Sequence, residues 1–378
     1  MTTDKTKGFV IDIIKAYLLN KEFSQDINVE QFAAIYELLK RHDIAHLAGV
    51  VLLKNPENRE KYKELVKAQF VAVMRYEKGK YAREQIYKLF EESAIPFMPL
   101  KGAVLCDYYP EPWHRTSCDI DVLVSTENLE KAIKILIEKL NFEYKGKSEH
   151  DISLYAPNGA HLELHYDFHE EDISVEDGWN SASPIEGKEY HYALFPEAFA
   201  LHHIAHMAKH FKYGGCGIRF FIDLWVISHN MPYDKKKLDD LLAEKGLKQF
   251  ADSAYRLNEV WFGGGQPDEL TQRMLDYILQ SGIYGNTENR VVIGQIKNKS
   301  KFNYAFSRIF QRYDVIKYRY PILEKYRWLM PFCQVRRWID LLKAGKLKRA
   351  RAEFEINSNV DEQKRKGVFD LLKDLELM

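Results

Sequence analysis

Between Lys61 and Glu92 apolar residues recur at helical spacing, with Leu65, Phe70, Val73, Tyr81, Ile86 and Leu89 separated by charged side chains. That period predicts one long helix, and Ser93-Ala94-Ile95-Pro96 ends it. The whole of residues 1–95 reads as helical. The pattern then shortens. Phe97-Met98-Pro99-Leu100 is a brief apolar run, Gly102 follows as a turn, and Ala103 to Tyr109 suits a helix. Pro110 and Pro112 stop that helix, a polar loop carries Trp113, His114 and Arg115, and Cys118 to Val124 resumes as a strand. Ser125 or Thr126 is placed to cap a helix whose apolar positions Leu129, Ala132, Ile133, Leu136, Ile137 and Leu140 form one stripe, as expected of a helix covering a sheet.

Two alternating runs, Asp151–Ala156 and His161–Phe168, flank Pro157-Asn158-Gly159 and predict a hairpin. From Pro196 onward the pattern is helical, with breaks at Gly214-Gly215 and Gly263-Gly264-Gly265, and no repeat or low-complexity linker interrupts it. The expected fold class is α+β: a small mixed β-sheet core flanked by N-terminal and C-terminal helical regions. The expected divisions are 1–95, 96–185, 186–300 and 301–378.

Composition narrows the function classes. Lys plus Arg total 55 and Asp plus Glu total 55, so no global field favours nucleic acid or an anionic membrane, and a polyanion must meet a local patch. Cys106, Cys118, Cys216 and Cys333 lack CxxC spacing, which fits reduced thiols and a cytoplasmic location. The first apolar run is broken by Asp12 and Lys15 and reads as an amphipathic helix rather than a signal peptide. No stretch approaches the roughly 18 apolar residues of a membrane span, so no membrane partner is expected.

The chemistry concentrates at Asp119-Ile120-Asp121. In a strand both carboxylates point to one side, where they repel each other and lose solvation. A divalent cation with oxygen preferences would balance them; alone, the triplet also fits a solvated strand end. Three neighbours bear on the choice. Lys101-Gly102-Ala103 lies at a strand-to-helix turn, where backbone N–H groups meet anions. Glu163, in His161-Leu162-Glu163-Leu164-His165, stands between two histidines on the face opposite the leucines, and on an adjacent antiparallel strand it would supply a third carboxylate. Arg115 precedes the first aspartate across a loop able to fold over phosphates.

LKGAVL, a loop containing Tyr109-Pro110, Arg115, DIDVLV and then LELH together resemble the polymerase-β-like nucleotidyltransferase superfamily, and more closely the bacterial nucleotidyltransferase family of unassigned substrate that carries LKG and DIDLLV motifs. The likeness is densest over residues 96–168 and looser over HHIAHMAKH, GIRFFIDL and the N-terminal helices. It implies Asp119 and Asp121 as metal ligands, Glu163 as third acid, and Gly102 and Ala103 as the phosphate-facing turn. Many members have Ser where Ala103 stands, which leaves phosphate binding to Lys101, Arg115 and backbone N–H groups. The implied reaction is attack of an acceptor hydroxyl on the α-phosphate of a nucleoside triphosphate, with pyrophosphate released and two Mg²⁺ ions about 3.5–4 Å apart. The acceptor class is a small molecule or peptide.

Other features stay open. His202, His206 and His210 share a helix face, with His203 beside them, and suit either a cleft wall or a histidine metal site. Arg219 and Asp223 are spaced as a surface ion pair, or Arg219 reaches the triphosphate or acceptor. The basic stretch from Arg336 to Arg351, with Trp338, reads as a solvated helix face in preference to a nucleic-acid site. Two further function classes therefore stand beside the transferase: a non-catalytic nucleotide-binding module and a histidine-based metallohydrolase.

Overall fold

The computed structural model describes residues 4–168, 173–343 and 347–378, so Ala344, Gly345 and Lys346 of the basic stretch lie outside the described residues. Five strands form the central sheet: β1 (Phe97–Pro99), β2 (Asp119–Val124), β3 (Glu143–Lys147), β4 (Asp151–Tyr155) and β5 (His161–His165). Their order is β1-β2-β5-β4-β3. β4 and β5 pair antiparallel, as the turn at Pro157-Asn158-Gly159 predicts. β5, however, runs parallel to β2, where the sequence reading places Glu163 on an antiparallel neighbour. The hairpin fixes only the β4–β5 sense; inserting β5 next to β2 makes that pair parallel. β3 had no sequence signal, because Glu143-Tyr144-Lys145-Gly146-Lys147 is an exposed edge strand without apolar alternation.

Alternation gives the sheet two different faces. Ile120, Val122, Leu162 and Leu164 point to one side and pack with Ile86 and Phe90 of the Lys63–Glu92 helix and with Ala132 and Leu136 of the Leu129–Leu140 helix. The predicted long helix and covering helix thus share one job. Phe70 and Tyr81, which share the helical spacing of Leu65, Ile86 and Leu89, are exposed, whereas those three are buried. The Ala103–Tyr109 helix is also shorter than expected, an α-helical Gly102–Leu105 passing into a 3₁₀ turn at Cys106–Tyr108.

The opposite face carries Asp119, Asp121 and Leu123. Leu123 and Leu100 belong to a larger core that includes Ile13 and Leu39 of the N-terminal helices and Ile204 and Phe221 from the helices Pro196–Lys212 and Ile218–Asn230. The second face of the sheet is therefore roofed by the helical region after residue 196, and the strand carboxylates open into the space between. No helix among the described residues is long and apolar enough to cross a membrane.

Candidate active site

Parallel pairing sets Asp121 directly opposite Glu163 and Asp119 opposite His161. The apolar partners Ile120–Leu162 and Val122–Leu164 lock this register, because a one-residue slip would turn the leucines out of the core. Asp121 is buried, while Asp119 and Glu163 are half-buried. They line a cavity of about 390 Å³ whose far wall comes from the Pro196–Lys212 helix and Phe220. His202, His203, His206 and His210 all face it, so the histidine helix is a cleft wall.

Positive charge reaches Asp121 from within the chain. Lys101 Nζ donates to Asp121 Oδ1 at 2.6 Å, and His165 Nε2 lies 2.9 Å from the same oxygen. Burial alone would push the Asp121 carboxyl up, but the Lys101 ammonium and the His165 hydrogen bond outweigh it and hold the group well below the usual carboxylate range. Glu163 behaves oppositely. Burial, with Asp121 and Asp119 as like-charged neighbours, raises it to about 8. His165 is lowered by burial and by Lys101. Two adjacent carboxylates are thus driven apart in affinity for a proton, a pattern frequent at functional sites.

Lys101 holds its position at a backbone cost. Its φ of 48° and ψ of −123° lie in a region that glycine favours, and the turn is closed by the Ala103 N–H donating to Leu100 O at 3.2 Å. Ala103 therefore has its N–H engaged within the turn. Gly102 is closely packed: a Cβ there would lie 3.0 Å from Ser117 Oγ and 3.3 Å from an Arg115 nitrogen, so those side chains would have to give by a few tenths of an ångström. Ser117 Oγ also donates to Asp119 Oδ1 at 3.0 Å.

The two arginines line the cleft and are each tied to a carboxylate. Arg115 Nε donates to Asp223 Oδ1 at 2.7 Å, and the Tyr109 hydroxyl donates to the same oxygen at 2.6 Å. Arg219 Nη1 donates to Asp43 Oδ2 at 2.7 Å. Arg219 and Asp223 are both buried and each pairs elsewhere, so their helical spacing does not form a surface ion pair.

Asp121, Glu163 and His165 each offer a ligand atom, all within 4.8 Å of one another. Among the described residues no three side chains of the histidine helix form such a group. The sequence motifs do not by themselves assign His165 a role. Its signal was present: two positions beyond Glu163 in a strand means the same face. Asp151 also lines the cleft, held by His150 Nε2 at 2.9 Å and Ser148 Oγ at 2.7 Å.

A family described as uncharacterised nucleotidyltransferase matches residues 28–263. No curated protein matches the chain. Among solved structures, the antibiotic-resistance factor ANT(2'')-Ia aligns with a TM-score of 0.33 at 12% identity, over 42% of this chain and 86% of that one. An antigenic nucleotidyltransferase-like protein from Paracoccidioides brasiliensis aligns with a TM-score of 0.30 at 16% identity, over 44% of this chain and 85% of that one. The family match spans more than half of the chain, which belongs to that nucleotidyltransferase family.

Proposed function

We propose that this nucleotidyltransferase moves a nucleoside monophosphate from a nucleoside triphosphate to a hydroxyl of a small-molecule or peptide acceptor, releasing pyrophosphate. The observation that carries the reading is the pairing of Asp121 with Glu163, beside Asp119, on the floor of a cleft large enough for a nucleotide.

The donor set suits Mg²⁺ in its oxygens: Asp121 and Glu163 approach each other closely, and Asp119 is on the same strand face. Asp119, Asp121 and Glu163 would hold the metal, two ions with nucleotide bound, and the metal would neutralise the triphosphate and lower the pKa of an attacking hydroxyl. Lys101 keeps Asp121 ionised beforehand, and its flexible ammonium is within a side-chain rotation of the cleft where phosphates would lie. Glu163, whose carboxyl is raised to about 8, must first lose its own proton, and once ionised it completes the site either by ligating the metal or by accepting the acceptor's proton. His165 orients the Asp121 carboxylate through its hydrogen bond. Arg115 and Arg219, held by Asp223 and Asp43, present fixed positive edges to the cleft. The helical roof partly covers this space, so the buried charges act in a lower dielectric than that of bulk water.

The test is transfer of label from α-phosphate-labelled ATP, GTP, CTP and UTP to a panel of hydroxyl compounds and peptides, with pyrophosphate measured alongside. Acceptor-dependent release that falls at least about a hundredfold in Asp121→Asn is expected. Nucleotide binding without release by any acceptor would favour the non-catalytic module, and release unchanged in Asp121→Asn would refute the assignment of the site.

A further inference from the structure

The helix Met330–Lys343 is folded inside out. Phe332, Val335, Ile339 and Leu342 recur at helical spacing and are all exposed, Phe332 to 67%, whereas Cys333, Gln334 and Arg337 on the opposite face are buried. Trp328, just ahead of the helix, is 70% exposed and meets Phe332 edge-on at 6.4 Å. The helix Lys301–Ile309 repeats the pattern, with Phe302, Phe306 and Ile309 exposed on one side. The two helices touch where Phe310 packs on Trp338 at 5.4 Å. Local order does not require this exposure, because Ile316, Tyr320, Leu323 and Cys333 already form a small core of their own. An exposed apolar surface of this extent marks an interaction site.

Charge selects the partner. Residues 301–343 hold ten Lys and Arg against three Asp and Glu, a net of plus seven in a chain whose total is zero. Arg312, Lys325, Arg327 and Arg336 among them are exposed. The same segment has eleven aromatic residues. Aromatic and aliphatic side chains standing out of helices rimmed with Arg and Lys are the signature of a protein lying in a bilayer interface.

We propose that residues 301–343 are a peripheral docking element that seats the exposed faces of these two helices on an anionic lipid surface. A second copy of the chain fits less well, since self-pairing of this face would bring two segments of plus seven together without counter-charge. Single-stranded RNA would use the arginines and aromatics but leaves Val335, Ile339 and Leu342 in water, because aliphatic side chains do not stack on bases. Lipid satisfies both halves: acyl chains take the apolar stripes and headgroup phosphates take the cations. This goes beyond nucleotidyl transfer and is independent of it.

The experiment is vesicle flotation with the full-length chain, comparing phosphatidylcholine alone with a mixture containing about a third phosphatidylglycerol. Flotation with the anionic vesicles only, weakened by raising salt from about 0.1 to about 0.5 M, is expected. The double substitution Trp328→Ser with Phe332→Ser, and separately Arg336→Glu, should each weaken partitioning by about tenfold while leaving circular dichroism and transfer in solution unchanged. Absence of flotation, equal flotation with neutral vesicles, or flotation unaltered by these substitutions would overturn the proposal. So would light scattering that finds a stable dimer broken by the Trp328 and Phe332 changes, or binding of a short RNA in place of vesicles.

Discussion

Glu163 carries the most exposed physical claim at the scale of single residues. Its carboxyl is raised from 4.5 to about 8 by burial and by the two aspartates. Between those values the metal-free folded chain keeps a proton that the unfolded chain releases, so this group's stabilisation is complete below about 4.5 and is lost as pH rises through about 8. Glu163→Gln removes the penalty. The metal-free variant should therefore gain on the order of 2 kcal/mol over wild type at pH near 9, a few degrees in Tm, and nothing at pH near 4. Thermal unfolding in chelator across that range checks it; a difference independent of pH would contradict the raised carboxyl. The same substitution should abolish transfer, so stability and activity move in opposite directions. Metal binding must displace the proton, and Mg²⁺ affinity should accordingly rise with pH up to about 8. At this scale strand alternation places Asp119 and Asp121 on one face, and the structure sets Glu163 opposite Asp121 there. The sequence was silent on the Lys101–Asp121 bond, which depends on a strained turn twenty residues away in the chain.

At the scale of elements, strand alternation decides what the site contains. β2 and β5 each bury aliphatic residues on one side and present carboxylates on the other, so core packing and site geometry are two faces of the same pairing. Leu164→Ala, at a fully buried position opposite Val122, should cost about 2–5 kcal/mol and broaden the register of β5. Urea unfolding measures the first effect, and loss of nucleotide affinity in the still-folded population measures the second; an unchanged midpoint would contradict the packing. Periodicity made legible the DIDVLV strand, the covering helix Leu129–Leu140, the hairpin and the histidine helix, because each has a one-sided apolar pattern. It did not reveal the parallel sense of β2 and β5, which is set by sheet order. Nor did it reveal the exposure of Phe70 and Tyr81, because periodicity reports which residues share a face and not whether a neighbour covers it.

At the scale of the whole molecule, one buried and one part-buried ion pair gather distant segments around the cleft. Arg219 meets Asp43 across 176 positions, and Arg115 meets Asp223 across 108. Such partners are invisible in a linear reading, which offers Arg219 either the nearby Asp223 or a substrate in the cleft. Asp223→Ala would leave Arg115 buried without its carboxylate, and Tyr109 without its acceptor, at a cost of about 3–5 kcal/mol. Chemical denaturation checks this, and a loss under about 1 kcal/mol would mean that Arg115 finds another partner. With the sheet floor and helical roof joined this way, the carboxylates line a confined space. If Asp119, Asp121 and Glu163 form one cation site, Mn²⁺ used as a paramagnetic stand-in for Mg²⁺ reads its occupancy. Titration followed by electron paramagnetic resonance, with a non-hydrolysable nucleoside triphosphate present, should find about two bound ions per wild-type chain and fewer than about one in Asp121→Asn. Equal Mn²⁺ uptake by the two proteins would mean that Asp121 does not hold the ions.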